Sequence, residues 1–370
     1  MKSLPFDRNA RRGLAQTLIA GAAFIAGVAA PSAAPALTDI ANSPIASAAT
    51  AAVPPNVLFI LDASGSMDSD FMPDDANSFA GDVGGKSSLC NTIYYNPAVS
   101  YLVPKKADGT EFANSNFSGA SSDGFLGGSN SNLSTSFRPN GSSATEPAYY
   151  YSWTPTTAGT LPGFTTDCEA SDGTSSGGSP ASATVTSANG KWTKVVIAAA
   201  EQQNFANWYT YYRTRMLMMK TAAGRAFSGL TDAFRVGFIT ICPDGSSCNS
   251  DTANTTVNAN YYLKIDAFTP THKVDWYKKF YQQVPSSFTP LRQALARAGR
   301  HFAGLQTGIN SGMNDDPVQF SCQQNYAILT TDGYWNYGRG KTIAMTDMGD
   351  TDSNSGLTPR PMLDGGTVST

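Results

Sequence analysis

The chain has 370 residues, 25 basic and 28 acidic, for a formal net charge of −3 at pH 7. Charged residues make up only 14% and no basic stripe runs along the chain, which excludes a nucleic-acid binder. Five cysteines and abundant Ser, Thr, Asn and Gly fit an extracytoplasmic protein in an oxidising compartment.

Residues 1–36 read as a signal peptide. Lys2, Arg8, Arg11 and Arg12 form a basic n-region ahead of an Ala/Leu/Ile-rich stretch, and Ala34 and Ala36 offer small-residue cleavage sites. An uncleaved anchor is the rival reading, disfavoured because the apolar run is short and Ala-rich. The hydrophobic residues expected after a twin-Arg pair are missing behind Arg11-Arg12, which favours general secretion. Without these residues 21 basic and 27 acidic side chains remain, a net of −6. Residues 37–53 read as a linker.

Asn56 to Leu61 reads as a buried strand that runs directly into Asp62-Ala63-Ser64-Gly65-Ser66. One carboxylate and two hydroxyls at alternate positions then sit at the strand's carboxyl end, the edge where open α/β sheets bind ligands. Oxygen-only donors are what a hard divalent cation prefers. Beyond this motif the regular pattern stops until about residue 190. Between Ala107 and Gly190 the only basic residue is Arg138, and Ser, Gly, Thr, Asn and Pro dominate. A loop that long is uncommon inside a domain. Its tyrosines (Tyr94, Tyr95, Tyr149, Tyr150 and Tyr151) and two cysteines favour a pinned insertion, about 70–190, over a disordered linker.

Apolar and aromatic residues at Phe205, Trp208, Tyr212, Met216, Met219, Ala223 and Phe227 recur at spacings of three and four. They predict one long amphipathic helix packed on the sheet. Strands are expected at 234–241, 261–268 and 327–331, and a short helix at 274–284. A firmer helix is expected over 290–305, with Thr289 at its N-cap and Pro290 at N1. Strands alternating with helices imply a largely parallel, doubly wound α/β sheet. In such a sheet Asp62, Ser64, Ser66, Thr289 and Asp332 share one rim. That set predicts a divalent-cation site, with Mg²⁺ first and Ca²⁺ or Mn²⁺ as alternatives. A partner's carboxylate could replace the water that Mg²⁺ keeps in such an opening.

Cys242 and Cys248 bracket a short turn-rich stretch and are expected to pair. Cys90 with Cys168 is the second expected disulfide, although spacing alone leaves the pairing open, and Cys322 is left over. Structural zinc is disfavoured by the absence of CxxC and the presence of only two histidines, His272 and His301.

Asp-Ala-Ser-Gly-Ser, a distant Thr before a helix, and Thr331-Asp332-Gly333 closing a strand resemble the von Willebrand factor type A domain and its metal-ion-dependent adhesion site. The resemblance implies that Ser64, Ser66 and Thr289 bind the ion directly and that Asp62 and Asp332 act through water. A wider set resembles the PilY proteins of type IV pilus biogenesis. It comprises Pro55 to Met67, Ile93 to Pro97, Asn204 to Tyr209, Arg213 to Lys220, Thr289 to Arg292 and Leu329 to Trp335. That resemblance implies export to the cell surface, pilus tip or outer membrane of a Gram-negative bacterium. It also implies pilus-tip or minor pilin partners and a host or surface ligand presenting a carboxylate.

The expected domain is therefore type A-like over 54–340, with 341–370 a flexible tail or truncated remainder. The resemblance implies a longer chain with a C-terminal propeller and further elements closing the sheet, so the sequence is expected to be an N-terminal fragment or truncated product. The expected function is metal-dependent adhesion without catalysis and without a small-molecule substrate; a purely structural assembly component with a vestigial site is the alternative. Gly84-Gly85-Lys86-Ser87 resembles the end of a phosphate-binding loop but lacks its first Gly and its strand. The stretch 350–356 resembles the start of an EF-hand loop with Pro361 where the closing Glu belongs. Asp68, Asp70, Asp74 and Asp75 read as an exposed acidic loop rather than a second cation site. A nucleophilic Ser64 or Ser66 is disfavoured because neither histidine has an obvious acid partner.

Overall fold

Strand β1 (Asn56–Leu61) is buried at every position, which an apolar run flanked on both faces requires. In the computed structural model the described residues are 53–139, 144–174, 181–245, 248 and 256–348, with two short strand segments at 360–361 and 367–368. All belong to one compact unit, Val53–Thr370. The predicted signal peptide, most of the linker, and the chain from 349 on apart from those two segments lie outside the described residues.

After β1, a two-residue pair joins β2 (Ala120–Ser121) and β3 (Asn130–Ser131). Next come β4 (Tyr149–Pro155), β5 (Thr184–Thr186) and β6 (Gly190–Val196), then helices α1 (Gln202–Tyr211) and α2 (Arg215–Ser228). Strands β7 (Arg235–Thr240) and β8 (Tyr262–Ala267), helices α3 (Pro270–Tyr281) and α4 (Leu291–Phe302), and strand β9 (Asn325–Leu329) complete the order. The main sheet runs β8-β7-β1-β9. Strands β1, β7 and β9 are parallel, with Leu61 opposite Thr240 and Ile60 opposite Leu329. The edge strand β8 is antiparallel to β7. The fold is thus α/β with a mixed sheet, less parallel than the alternation of elements predicts.

Side chains on β1 alternate between two cores, as the two-residue period demands. Val57, Phe59 and Leu61 pack with α2 and α3, around Phe227, Trp276 and Phe280. Leu58 and Ile60 pack with Leu291, Ala294 and Ala298 of α4 on the other face. Each such aliphatic or aromatic side chain contributes roughly 1.5–3 kcal/mol on burial. Helices α2 and α3 approach closely at Gly224, where an added Cβ would lie 2.0 Å from the Tyr281 hydroxyl.

The segment between β1 and α1 builds a third core of its own. Its β4-β6-β5 sheet is antiparallel, and Tyr95, Tyr149, Tyr151, Trp192, Phe205 and Trp208 fill the interior. The Cys90–Cys168 disulfide joins this core, and Cys242–Cys248 staples the turn after β7; Cys322 is free and exposed. Lys86, the lysine of the phosphate-loop lookalike, is fully buried in an ion pair with Asp172 at 2.8 Å.

Three element predictions need correcting. The single long helix is two: the Thr214 hydroxyl accepts from Leu217 N–H and starts α2 afresh, and α1 packs on the aromatic core rather than the main sheet. The 274–284 helix begins earlier, at Pro270, because Thr269 caps it. Thr289 is not the N-cap of α4; Pro290 is, and no side chain caps that helix.

Candidate metal centre

Three loops meet at the carboxyl ends of β1 and β9. The loop after β1 is tied to the segment before α4 by Ser286 N–H to Ala63 O at 2.7 Å and Gly65 N–H to Ser287 O at 3.1 Å. It is tied to β9 by Asp62 N–H to Thr330 O at 3.2 Å. The loop after β9 closes the triangle: Thr289 N–H donates to Asn336 Oδ1 at 2.7 Å and Asn336 N–H to Thr289 O at 3.0 Å.

Asp62 and Ser64 are buried at the centre. Asp62 Oδ1 accepts from Ser64 N–H at 2.8 Å, while its Oδ2 is buried with no hydrogen-bond partner among the described residues. Burial raises the Asp62 carboxyl above its usual range, opposed by the neighbouring polar groups of Ser64 and Thr331 and assisted by the nearby Asp332 charge. The Ser64 and Ser66 hydroxyls lie 3.1 Å apart, and Ser66 Oγ donates to Asp332 Oδ1 at 3.1 Å. Four of the five predicted residues therefore form one hydrogen-bonded chain.

Thr289 arrives by backbone rather than by side-chain contact. Its hydroxyl makes no hydrogen bond among the described residues, although the residue is only 6% exposed.

Arg215 is the site residue that sequence reasoning missed. Its guanidinium reaches Asp332 Oδ2 at 2.7 Å, Asp74 Oδ1 at 2.6 Å and the Phe71 carbonyl at 2.9 Å. It is 3% exposed and stacks over the Phe71 ring. A signal was present: an arginine in the first turn of a helix opposes the helix dipole and needs an anionic partner. Reading it required placing the helix start at Thr214.

The five residues present only oxygen donors, one of them an orphaned buried carboxylate oxygen. That set fits a hard divalent cation. Among the described residues, one group of three His, Cys, Asp or Glu side chains is close enough to share an ion, namely Cys242, Asp244 and Cys248. Its sulfurs are joined in the disulfide. The acidic group after Ser66 is accordingly not a second cluster of this kind, and Asp74 serves Arg215. His301 does have an acid neighbour, contrary to expectation: Asp315 lies 3.6 Å from it. It sits near the far end of α4, about 15 Å along the axis from Leu291. His272 contacts the Val236 carbonyl at 2.7 Å.

Among the described residues no helix is long and apolar enough to cross a membrane. No protein-family model matches the chain, and no solved structure matches it. Curated relatives do. The type IV pilus biogenesis factor PilY1 of Pseudomonas aeruginosa strain UCBPP-PA14 is 33% identical over 317 residues, covering 80% of this chain. Its counterpart in strain PAK is 33% identical over 312 residues and that in strain PAO1 29% over 307, each covering 77% of this chain. The chain spans 24% of the length of each of these relatives. With this similarity along most of its length, the chain belongs to the PilY family.

Proposed function

We propose that this chain is a metal-dependent adhesion module of the von Willebrand factor type A kind, acting in type IV pilus biogenesis and surface attachment. The observation that carries the reading is the buried Asp62 Oδ2, which has no hydrogen-bond partner among the described residues. Ser64, Ser66 and Thr289 would offer hydroxyl oxygens to the cation, and Asp62 and Asp332 carboxylates. Mg²⁺, or Ca²⁺ or Mn²⁺ in its place, would supply a positive centre able to take a partner's carboxylate. The chain's own residues hold the oxygens in place, and Arg215 fixes the Asp332 carboxylate.

The strand order β8-β7-β1-β9, with helices on both faces, supports the type A reading, and so does the position of the motif at the carboxyl end of the central strand. The third core, built between β1 and α1, supports reading that segment as an insertion. The relatives' role in type IV pilus biogenesis supports a place among type IV pilus components. On this reading the protein is exported to the surface of a Gram-negative bacterium and meets pilin-like partners and a carboxylate-bearing surface ligand. We read it as a binder rather than an enzyme: among the described residues the Ser64 hydroxyl bonds to that of Ser66 and the Ser66 hydroxyl to Asp332, and neither is hydrogen-bonded to His272 or His301.

A second reading has its own support. Arg215 already neutralises Asp332, as a purely structural component with a vestigial site would require. Calorimetric titration with Mg²⁺ separates the two. Saturable binding that Asp62→Ala abolishes, with the circular dichroism unchanged, is expected for the adhesion module. Wild-type protein that takes up no Mg²⁺, and that attaches equally well in excess chelator, would establish the structural reading.

A further inference from the structure

Lys220, on α2, has no counter-ion in contact among the described residues. It is 1% exposed and makes no hydrogen bond or ion pair among the described residues; its ammonium lies 5.3 Å from the centre of the Phe125 ring. It lines a cavity of about 220 Å³ together with Asp68, Ser122, Asp123, Arg213 and Leu217. The other charged groups facing this cavity are engaged or peripheral. Asp123 Oδ1 accepts from the N–H groups of Phe125 and Leu126 at 2.7 and 3.0 Å. Arg213 donates to the carbonyls of Ser122 and Tyr209 and stacks on the Tyr209 ring. Asp68 is exposed.

A buried ammonium without a contacting anion is costly. Burial accordingly depresses the Lys220 amine to about 8, against the pull of Asp123. A carboxylate entering the cavity would complete the missing pair as a charge-assisted hydrogen bond. Two elements are shared with the candidate metal centre: Asp68 ends the short helical turn that contains Ser66, and Thr214, which also lines the cavity, precedes Arg215.

We propose that this cavity is a second ligand subsite, in which Lys220 takes a carboxylate from a small organic acid or from an acidic side chain of a bound protein. The subsite stands whether or not a cation binds at Asp62, so its test is run in excess chelator. The Lys220 Cε resonance is followed through a pH titration, alone and with either glutarate or a blocked Gly-Glu-Gly tripeptide. An opposite charge stabilises the protonated amine, so the midpoint is expected to move upward from about 8. At a probe concentration ten times its dissociation constant, the free site falls roughly tenfold.

A stronger response to glutarate identifies a free acid as the source, and a stronger response to the tripeptide identifies a protein side chain. In calorimetry, Lys220→Met is expected to lose the binding of whichever probe responds. A midpoint unmoved by both probes, or Lys220→Met protein that binds as wild type does, overturns the proposal. The wild-type titration decides even where the variant fails to fold.

Discussion

The tripeptide Phe-Thr-Pro occurs twice, at 268–270 and at 288–290, each time just before a helix, and the two copies do different work. At the first, Thr269 is extended (φ −61°, ψ 162°) and its hydroxyl accepts from His272 N–H, with Pro270 as the first helical residue. This is ordinary capping chemistry. At the second, Pro290 takes φ −80°, ψ 55°, and Leu291 N–H bonds back to Thr289 O at 2.9 Å. That is an inverse γ-turn. It starts the helix one residue later and moves the threonine hydroxyl away from the helix's N–H groups.

The environment explains the difference. Phe268 is buried in the main core beside Trp276, whereas Phe288 packs on Tyr337 in the loop after β9. Asn336 in that loop grips the Thr289 backbone from both sides. One threonine hydroxyl caps its helix; the other makes no hydrogen bond among the described residues.

The comparison can be broken most forcefully at Arg215, which holds Asp332 in the loop after β9 that also carries Asn336. Arg215→Met leaves the largely buried Asp332 carboxylate unpaired and is expected to cost about 3 kcal/mol in urea unfolding. Part of that loss should return on adding Mg²⁺. A loss untouched by Mg²⁺ would mean that the cation and the guanidinium do not share Asp332.

Next in size is the cation-linked stability itself. Saturation at a hundred times Kd should raise unfolding stability by about 2.7 kcal/mol, and Thr289→Val should remove most of that gain while leaving the chelated protein unchanged. Thr269→Val should do the reverse, costing about 1 kcal/mol through the lost cap while keeping the Mg²⁺ response. Matching behaviour of the two variants in thermal melts would abolish the distinction between the tripeptides.

The smallest effect concerns Asp62. A carboxyl raised above its ordinary value of 3.8 contributes stability that is fully present below that pH and lost as pH rises through the folded value. At neutral pH without a cation, the ionised Asp62 therefore opposes folding. Asp62→Asn should make the chelated protein slightly more stable at pH 7, by about 0.5 kcal/mol, with no advantage at pH 3, and should abolish the Mg²⁺ response. A variant less stable than wild type at pH 7 in chelator would contradict this.

Much of the site was legible from local pattern. An apolar run ending in Asp62, Ser64 and Ser66 places its oxygens at a strand's carboxyl end whatever else the chain does, and Asp332 follows from the same logic at β9. Thr289 was found for an incomplete reason. It does precede α4, but it does not cap that helix, and its backbone is held by Asn336, 47 residues away. Arg215 stayed hidden because the apolar spacing runs unbroken from Phe205 to Phe227, while the break comes from a hydroxyl at Thr214. The three-stranded sheet between β1 and α1 was equally hidden, since β5 is only three residues long and neither the Tyr-rich β4 nor the Lys-bearing β6 shows a sustained apolar–polar alternation.

By itself the sequence determined the central strand, its oxygen-bearing end and the chemistry those oxygens can do, because backbone period and donor type are local properties. The tertiary structure alone decided which threonine caps its helix, that Arg215 faces Asp332, and that Lys220 is buried with no ion pair among the described residues. Those are outcomes of long-range hydrogen bonding and burial, and residues dozens of positions apart set them together.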